Sequence, residues 1–178
     1  MYHVVQDFYV SYLPYVVQKP LNVLIIPYMV QIKEIQKRLN TSVLCWLATC
    51  DAEGHPSVSP KEIFKLIEDD HLLIANIASP QSMKNVVANP KVCVSFIDIL
   101  VQKGFKLYGK AELIKKGSPE FADLAPQLEE LTQGLFPFNS LFKIKIEQSK
   151  PILAPRYLLY PETTEEQQMA SAKKLYGL

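Results

Sequence analysis

Polar and apolar positions alternate with a legible period from residue 29 onward. Val30, Ile32, Ile35 and Leu39 recur at helical spacing with Lys33, Glu34, Lys37 and Arg38 between them, which predicts an amphipathic helix of about ten residues ended by Asn40-Thr41. Ser42–Thr49 (SVLCWLAT) is apolar on both faces and reads as a buried strand. The turn Asp51-Ala52-Glu53-Gly54 leads to a second strand over Pro56–Phe64, and Glu68-Asp69-Asp70 to a third over His71–Ile77. Ser79-Pro80 pairs an N-cap residue with Pro at the first helical position, which predicts a helix to about Ala88, stopped by Asn89-Pro90. Strands follow over Lys91–Leu100 and Phe105–Lys115. A second Ser-Pro signal at Ser118-Pro119 predicts a helix to about residue 132. Leu141–Glu147 alternates with period two, and Glu165–Tyr176 suits a last helix.

Consecutive strands joined by short turns pair antiparallel. Six of them with interspersed helices predict an α+β, mainly β fold: a six-stranded antiparallel β-barrel with peripheral helices. No GxGxxG or βα alternation suggests a doubly wound sheet, and six glycines leave no P-loop. The expected domain spans residues 29–178, with residues 1–28 as an extension.

That extension changes the picture of the composition. The 178-residue chain is 48% hydrophobic with a net charge of +1, which excludes disorder and any polyanion-binding surface, so no nucleic-acid partner is expected. Residues 1–30 carry only Asp7 and Lys19 as charges, yet hold five of the nine tyrosines. Lys19-Pro20 and the prolines at 14 and 27 break the segment too often for a membrane span or one continuous helix. It has neither the basic start nor the small-residue cleavage site of a secretory signal. The segment is expected to be a packing arm or lid, or else Met29 is the natural start; the cytoplasm is the expected location. Cys45, Cys50 and Cys93 show no metal-ligand spacing and read as free thiols, and His3, His55 and His71 form no metal motif.

Two features carry candidate chemistry. A helix start at Ser79-Pro80-Gln81-Ser82-Met83-Lys84-Asn85 offers open N–H groups, a positive dipole end and polar side chains, a set that suits a phosphate or plain capping. Pro56-Ser57-Val58-Ser59-Pro60-Lys61 puts two prolines and polar groups in a strand that must therefore be an edge or be bent. Free backbone groups on such an edge can meet the heteroatom rim of a flat ring.

The ordered set LATCDAEGHPSVSPKEIF, LLIANIASPQSMKNVVANPKVCVSFID and GFKLYGKAELI resembles the FMN-binding split barrels of the pyridoxamine 5′-phosphate oxidase-like superfamily, over about residues 30–150. The resemblance implies a homodimer holding FMN between its subunits. By the same token Ser57, Val58, Ser59, Pro60 and Lys61 would lie along the isoalloxazine ring, and Ala75 and Asn76 would contact ribityl or ring atoms. Gln81 and Ser82, in the helix start opened by Ser79, would hold the phosphate with Asn85 in support, and the phosphate would depend on backbone N–H groups, the helix dipole, and Lys61 or Lys84. Lys61 at the ring edge would stabilise the anionic reduced flavin. Two departures stand out: the true oxidases carry Arg-Lys where this chain has Gln81-Ser82, and they end in Arg-Leu-x-Pro where this chain ends KKLYGL. Both argue against a vitamin B6 oxidase. They leave an FMN-dependent oxidoreductase, an FMN-binding electron carrier, or a relative using F420 or haem. No catalytic set of the hydrolase type is present. Lys103 to Phe105, Phe136 to Phe138, Arg156 and Tyr157 are the candidates for a substrate pocket.

Overall fold

A computed structural model of the chain describes residues 28–178, and the N-terminal arm expected ahead of Met29 lies, but for Tyr28, outside the described residues. The elements are α1 (Tyr28–Thr41), β1 (Cys45–Cys50), β2 (Pro56–Lys61), β3 (Phe64–Ile67), β4 (His71–Ala75), α2 (Pro80–Ala88), β5 (Lys91–Asp98), β6 (Lys103–Lys115), α3 (Pro119–Thr132), β7 (Ser140–Leu153), α4 (Pro155–Leu159) and α5 (Glu165–Tyr176). Among them no helix is long and apolar enough to cross a membrane.

The sheet has seven strands rather than six, in the order β2-β1-β5-β6-β7-β4-β3, every pair antiparallel. The extra strand, β3, starts at Phe64, the last residue of the predicted run Pro56–Phe64, and continues through Lys65-Leu66-Ile67, outside every predicted strand; the run itself breaks at Glu62-Ile63. β2 pairs with β1 at one edge, and β3 pairs with β4 at the other. Two linking residues span at most about 11 Å of extended chain including the joining bonds. The two edges of the sheet are therefore held close at that point, and the sheet curls into an open barrel. β2 is the edge strand that its two prolines require. β7 runs on past Glu147 through Pro151 to Leu153, because its second half pairs with β6 alone and an outer position tolerates proline.

Period-two burial places the core. Leu72 and Ile74 face one side of the sheet, joining Ile32, Ile35 and Leu39 of α1 with Leu47, Val94, Phe96, Leu107, Phe142 and Ile144. Leu73 and Ala75 face the other, against Phe121, Ala125 and Leu128 of α3. β4 is thus covered on both faces. β1 departs from expectation: Cys45, Leu47 and Thr49 are buried, but Trp46 is 46% exposed. Arg38, expected on the polar face of its helix, is buried. Its guanidinium bonds Glu34 at 2.7 Å through Nε, and Glu165 at the start of α5. Lys103 donates to the same Glu165 carboxylate at 3.0 Å, so one carboxylate ties α1, β6 and α5 together.

Candidate functional site

β2 and the start of α2 meet at the seam where the barrel edges approach. On β2, Val58 and Pro60 point outward, while Ser57 and Ser59 are half-buried and Lys61 is only 5% exposed. The alternation of the strand dictates this: a lysine in phase with Ser57 and Ser59 is carried inward. Its ammonium donates to Ser59 Oγ at 2.8 Å and to Ser79 Oγ. Ser59 Oγ lies 2.9 Å from Ser82 Oγ, and Ser82 is buried in the first turn of α2. Lys61, Ser59, Ser79 and Ser82 therefore form one hydrogen-bonded group, assembled from two segments.

No carboxylate among the described residues pairs with Lys61. Its register partner is Cys45, whose thiol burial pushes up to about 12, so it stays neutral and is no counter-ion. Burial pulls the lysine below its usual range. A buried ammonium without an anion is costly unless something compensates it.

The two Ser-Pro helix starts behave differently. Ser118 accepts from the Phe121 N–H at 3.2 Å and caps α3 as expected. Ser79 occupies the corresponding place in α2, but its side chain makes no capping bond. Its oxygen is taken by Lys61 instead. The first-turn N–H groups of Gln81 and Ser82 are left without a side-chain cap.

A second set stands behind the first. Gln81 Nε2 donates to Asn85 Oδ1 at 2.7 Å, and Asn85 Nδ2 donates to Thr49 Oγ1 at 3.0 Å. Asn85 and Thr49 are both 2% exposed, so this chain fixes α2 on β1. At the end of β4, Asn76 Nδ2 donates to Ser140 Oγ at 3.0 Å, while its Oδ1 is buried without a partner. The Ala75 N–H is already taken by Ile63 O at 3.0 Å. Lys84 is exposed and takes no part in either set.

Thr49 and Ser140 were not singled out in the sequence. Thr49 had a usable signal, a polar residue at an inward position of CWLATC; Ser140 had none. The expected substrate residues scatter. Lys103 lies over the Tyr157 ring at 4.4 Å, and the Tyr157 hydroxyl donates to Val101 O at 2.8 Å. Arg156 donates to Ser171 Oγ at 2.7 Å. Phe138 packs on Phe121, ring centroids 5.8 Å apart, whereas Phe136 is exposed. These contacts hold the C-terminal segment and α3 rather than enclose one pocket.

One group of metal-ligand types occurs at the exposed β1–β2 turn, where ligand atoms of Asp51, Glu53 and His55 lie within 4.8 Å. Asp51 is already engaged, accepting from the His55 N–H at 2.8 Å and lying 3.0 Å from its Nδ1. That is ordinary turn geometry. Cys45, Cys50 and Cys93 are free thiols.

The fit of a flavin mononucleotide can be judged from these atoms. Its dianionic phosphate needs donors and positive charge; the Lys61 cluster and the open first turn of α2 offer donors and a cation with no competing carboxylate. Its ring carries one N–H donor, which needs an acceptor, and Asn76 Oδ1 is a buried acceptor without a partner among the described residues. The residues fit.

Comparison with known proteins bears on the family and the fold. A family model for pyridoxamine 5′-phosphate oxidase matches residues 32–168. No curated protein matches the sequence. Among solved structures, the chain is similar to HupZ of Group A Streptococcus, at 24% identity over 66% of this chain and 90% of that one, TM-score 0.57. It is also similar to an FMN-binding protein of Syntrophomonas wolfei, at 16% identity over 71% and 91%, TM-score 0.57. A pyridoxamine 5′-phosphate oxidase-related, FMN-binding protein of Nostoc punctiforme aligns at 15% identity over 72% and 84%, TM-score 0.53. At these identities the likeness concerns the fold, an antiparallel split barrel with peripheral helices.

Proposed function

The chain belongs to the pyridoxamine 5′-phosphate oxidase family, and we propose that it is an FMN-binding flavoprotein, an oxidoreductase acting on a small molecule as a homodimer. The observation that carries this reading is the buried Lys61 ammonium, whose hydrogen-bond partners among the described residues are hydroxyls, beside an uncapped helix start. Two solved relatives described as FMN-binding proteins support it.

FMN bound there would supply the redox chemistry, while the protein supplies binding, orientation and control of water. Ser59, Ser79, Ser82 and the Gln81 and Ser82 N–H groups would donate to the phosphate. The edge of β2, from Ser57 to Pro60, and Asn76 at the end of β4 would seat the ring and ribityl chain. Asn85, anchored on Thr49 at 3.0 Å, keeps the first turn of α2 in register with β1. Gln81, held by Asn85, is neutral, so the helix itself brings no cation to the phosphate from the positions where the true oxidases have Arg-Lys.

A second copy of the chain is the proposed cover for the outer face of β1 and β2. There Trp46 stands opposite Pro60 and Ala48 opposite Val58, an apolar surface with Trp46 46% and Val58 58% exposed. Contiguous exposed apolar groups of this kind mark interaction surfaces.

The test is the absorption spectrum of purified protein before and after addition of FMN, with the solution mass. Flavin bands on a dimer, together with NAD(P)H-dependent turnover, support the oxidoreductase. Flavin bands without turnover against any acceptor favour an electron carrier. A Soret band or a deazaflavin absorbance would replace FMN with haem or F420.

A further inference from the structure

We propose that Lys61 is the phosphate anchor of the flavin site: a single cation that reaches the start of α2 from β2, so that the site selects flavin as its 5′-phosphate monoester. This rests on the flavin reading above and goes beyond it. The resemblance sets Lys61 along the ring and leaves the phosphate charge between Lys61 and Lys84; the Lys61 ammonium is bonded to Ser79, the residue before the first turn of α2, and to Ser59, which is bonded to Ser82 within that turn.

Proton counting shows what the cluster lacks. An ammonium has three protons and no acceptor. Two are taken by Ser59 and Ser79, which leaves one. Ser79, having accepted from Lys61, keeps its own hydroxyl proton. Ser59 and Ser82 share one proton between them whichever is the donor, and the other remains free. Among the described residues the group therefore ends in three unspent donors, one ammonium proton and two hydroxyls, with no carboxylate beside them. A phosphate monoester presents three peripheral oxygens and two negative charges, which matches that set. An uncharged ring rim does not.

Burial strengthens the case. Lys61 is 5% exposed, and no carboxylate among the described residues pairs with it. Lys84, the cation on α2 itself, is exposed and outside the cluster. The cation that meets the start of α2 comes here from the strand, where the resemblance would put Arg-Lys on the helix. Ser79 is withdrawn from capping to hold it.

The experiment compares FMN with riboflavin, the same ring without the phosphate, by flavin-fluorescence titration of the full-length protein. Lys61→Met keeps the bulk and removes the charge. It is expected to weaken FMN by about tenfold to a hundredfold, the size of a lost charge-assisted contact, and to leave riboflavin within about threefold. Ser79→Ala, which disturbs the core less, is expected to weaken FMN alone by a few-fold. Circular dichroism melting shows that each variant is folded. Equal losses for both flavins would place Lys61 at the ring and overturn the proposal. So would unchanged FMN affinity, or a loss carried by Lys84→Met instead. If the wild-type protein bound neither flavin, the flavin reading itself would fall first, a result distinct from either pattern.

Discussion

Glu165→Gln tests the junction that fixes the C-terminal helix. The Glu165 carboxylate accepts from Arg38 and from Lys103 at 3.0 Å, with Lys37 3.4 Å away. Arg38 is 2% exposed and keeps only Glu34 when Glu165 is neutralised. Hydrogen bonds from Lys103 and Arg38, with the two positive charges, outweigh burial and hold the Glu165 carboxyl down at about 2, against an ordinary 4.5. At about 1.36 kcal/mol per pK unit this caps the contribution near 3 kcal/mol. The carboxylate is 28% exposed. Solvent screening and the remaining Glu34 pair reduce the expected loss to about 1.5–2 kcal/mol at pH 7. For a chain of this size that is a fall in Tm of roughly 3–8 °C.

The pH dependence follows from the sign of the shift. A carboxyl whose pKa is lower when folded stabilises the fold above its unfolded value, and that stability is lost as pH falls through the folded value. The gap between wild type and variant is therefore full above pH 4.5 and closes towards pH 2. Urea unfolding followed by far-ultraviolet circular dichroism at pH 7, 4 and 2.5 reads it. A difference below about 0.5 kcal/mol at pH 7, or one that stays constant down to pH 2.5, would refute the reasoning.

Three further outcomes follow from the packing. Gly104→Ala would put a Cβ 2.0 Å from Phe96 O, a backbone atom that cannot step aside, so a loss of about 3 kcal/mol or more is expected in urea unfolding. Trp46→Glu places a charge in the proposed dimer face; sedimentation velocity should show a shift towards one chain, with FMN affinity falling in parallel, and an unchanged mass would remove that face from the interface. Gln81→Arg restores a cation at an exposed position of the first turn and should tighten FMN by about threefold to tenfold while leaving riboflavin unchanged; equal tightening of both flavins would count against a phosphate there.

Most of the fold is legible in the sequence because its signals are local. Ser118-Pro119 sets the start of α3, and the alternation of KVCVSFID sets β5. The break at Glu62-Ile63 is not local: nothing in PSVSPKEIFKLI says that its last four residues pair with β4 rather than β1, a choice made by the long-range closure of the sheet. The second half of β7 is similarly hidden, since EQSKPIL carries polar residues and a proline that only an outer strand accepts. In the site, the residue types at Ser59, Lys61, Ser79 and Ser82 are readable, and their convergence is not. Side-chain direction decides that Ser79 meets Lys61 instead of capping its own helix. Arg38 shows the same limit: a helical-wheel reading sends it to solvent, and Glu165, 127 positions away, buries it.

The central claim is that this split barrel holds FMN by its phosphate. It is tested most directly by calorimetric titration of the purified protein with FMN and with riboflavin, alongside its solution mass. The account predicts saturable binding of one FMN per chain on a dimer, with riboflavin binding at least tenfold weaker because it lacks the charge-assisted phosphate contacts. No heat and no thermal stabilisation at saturating FMN, or equal affinity for the two flavins, would contradict it.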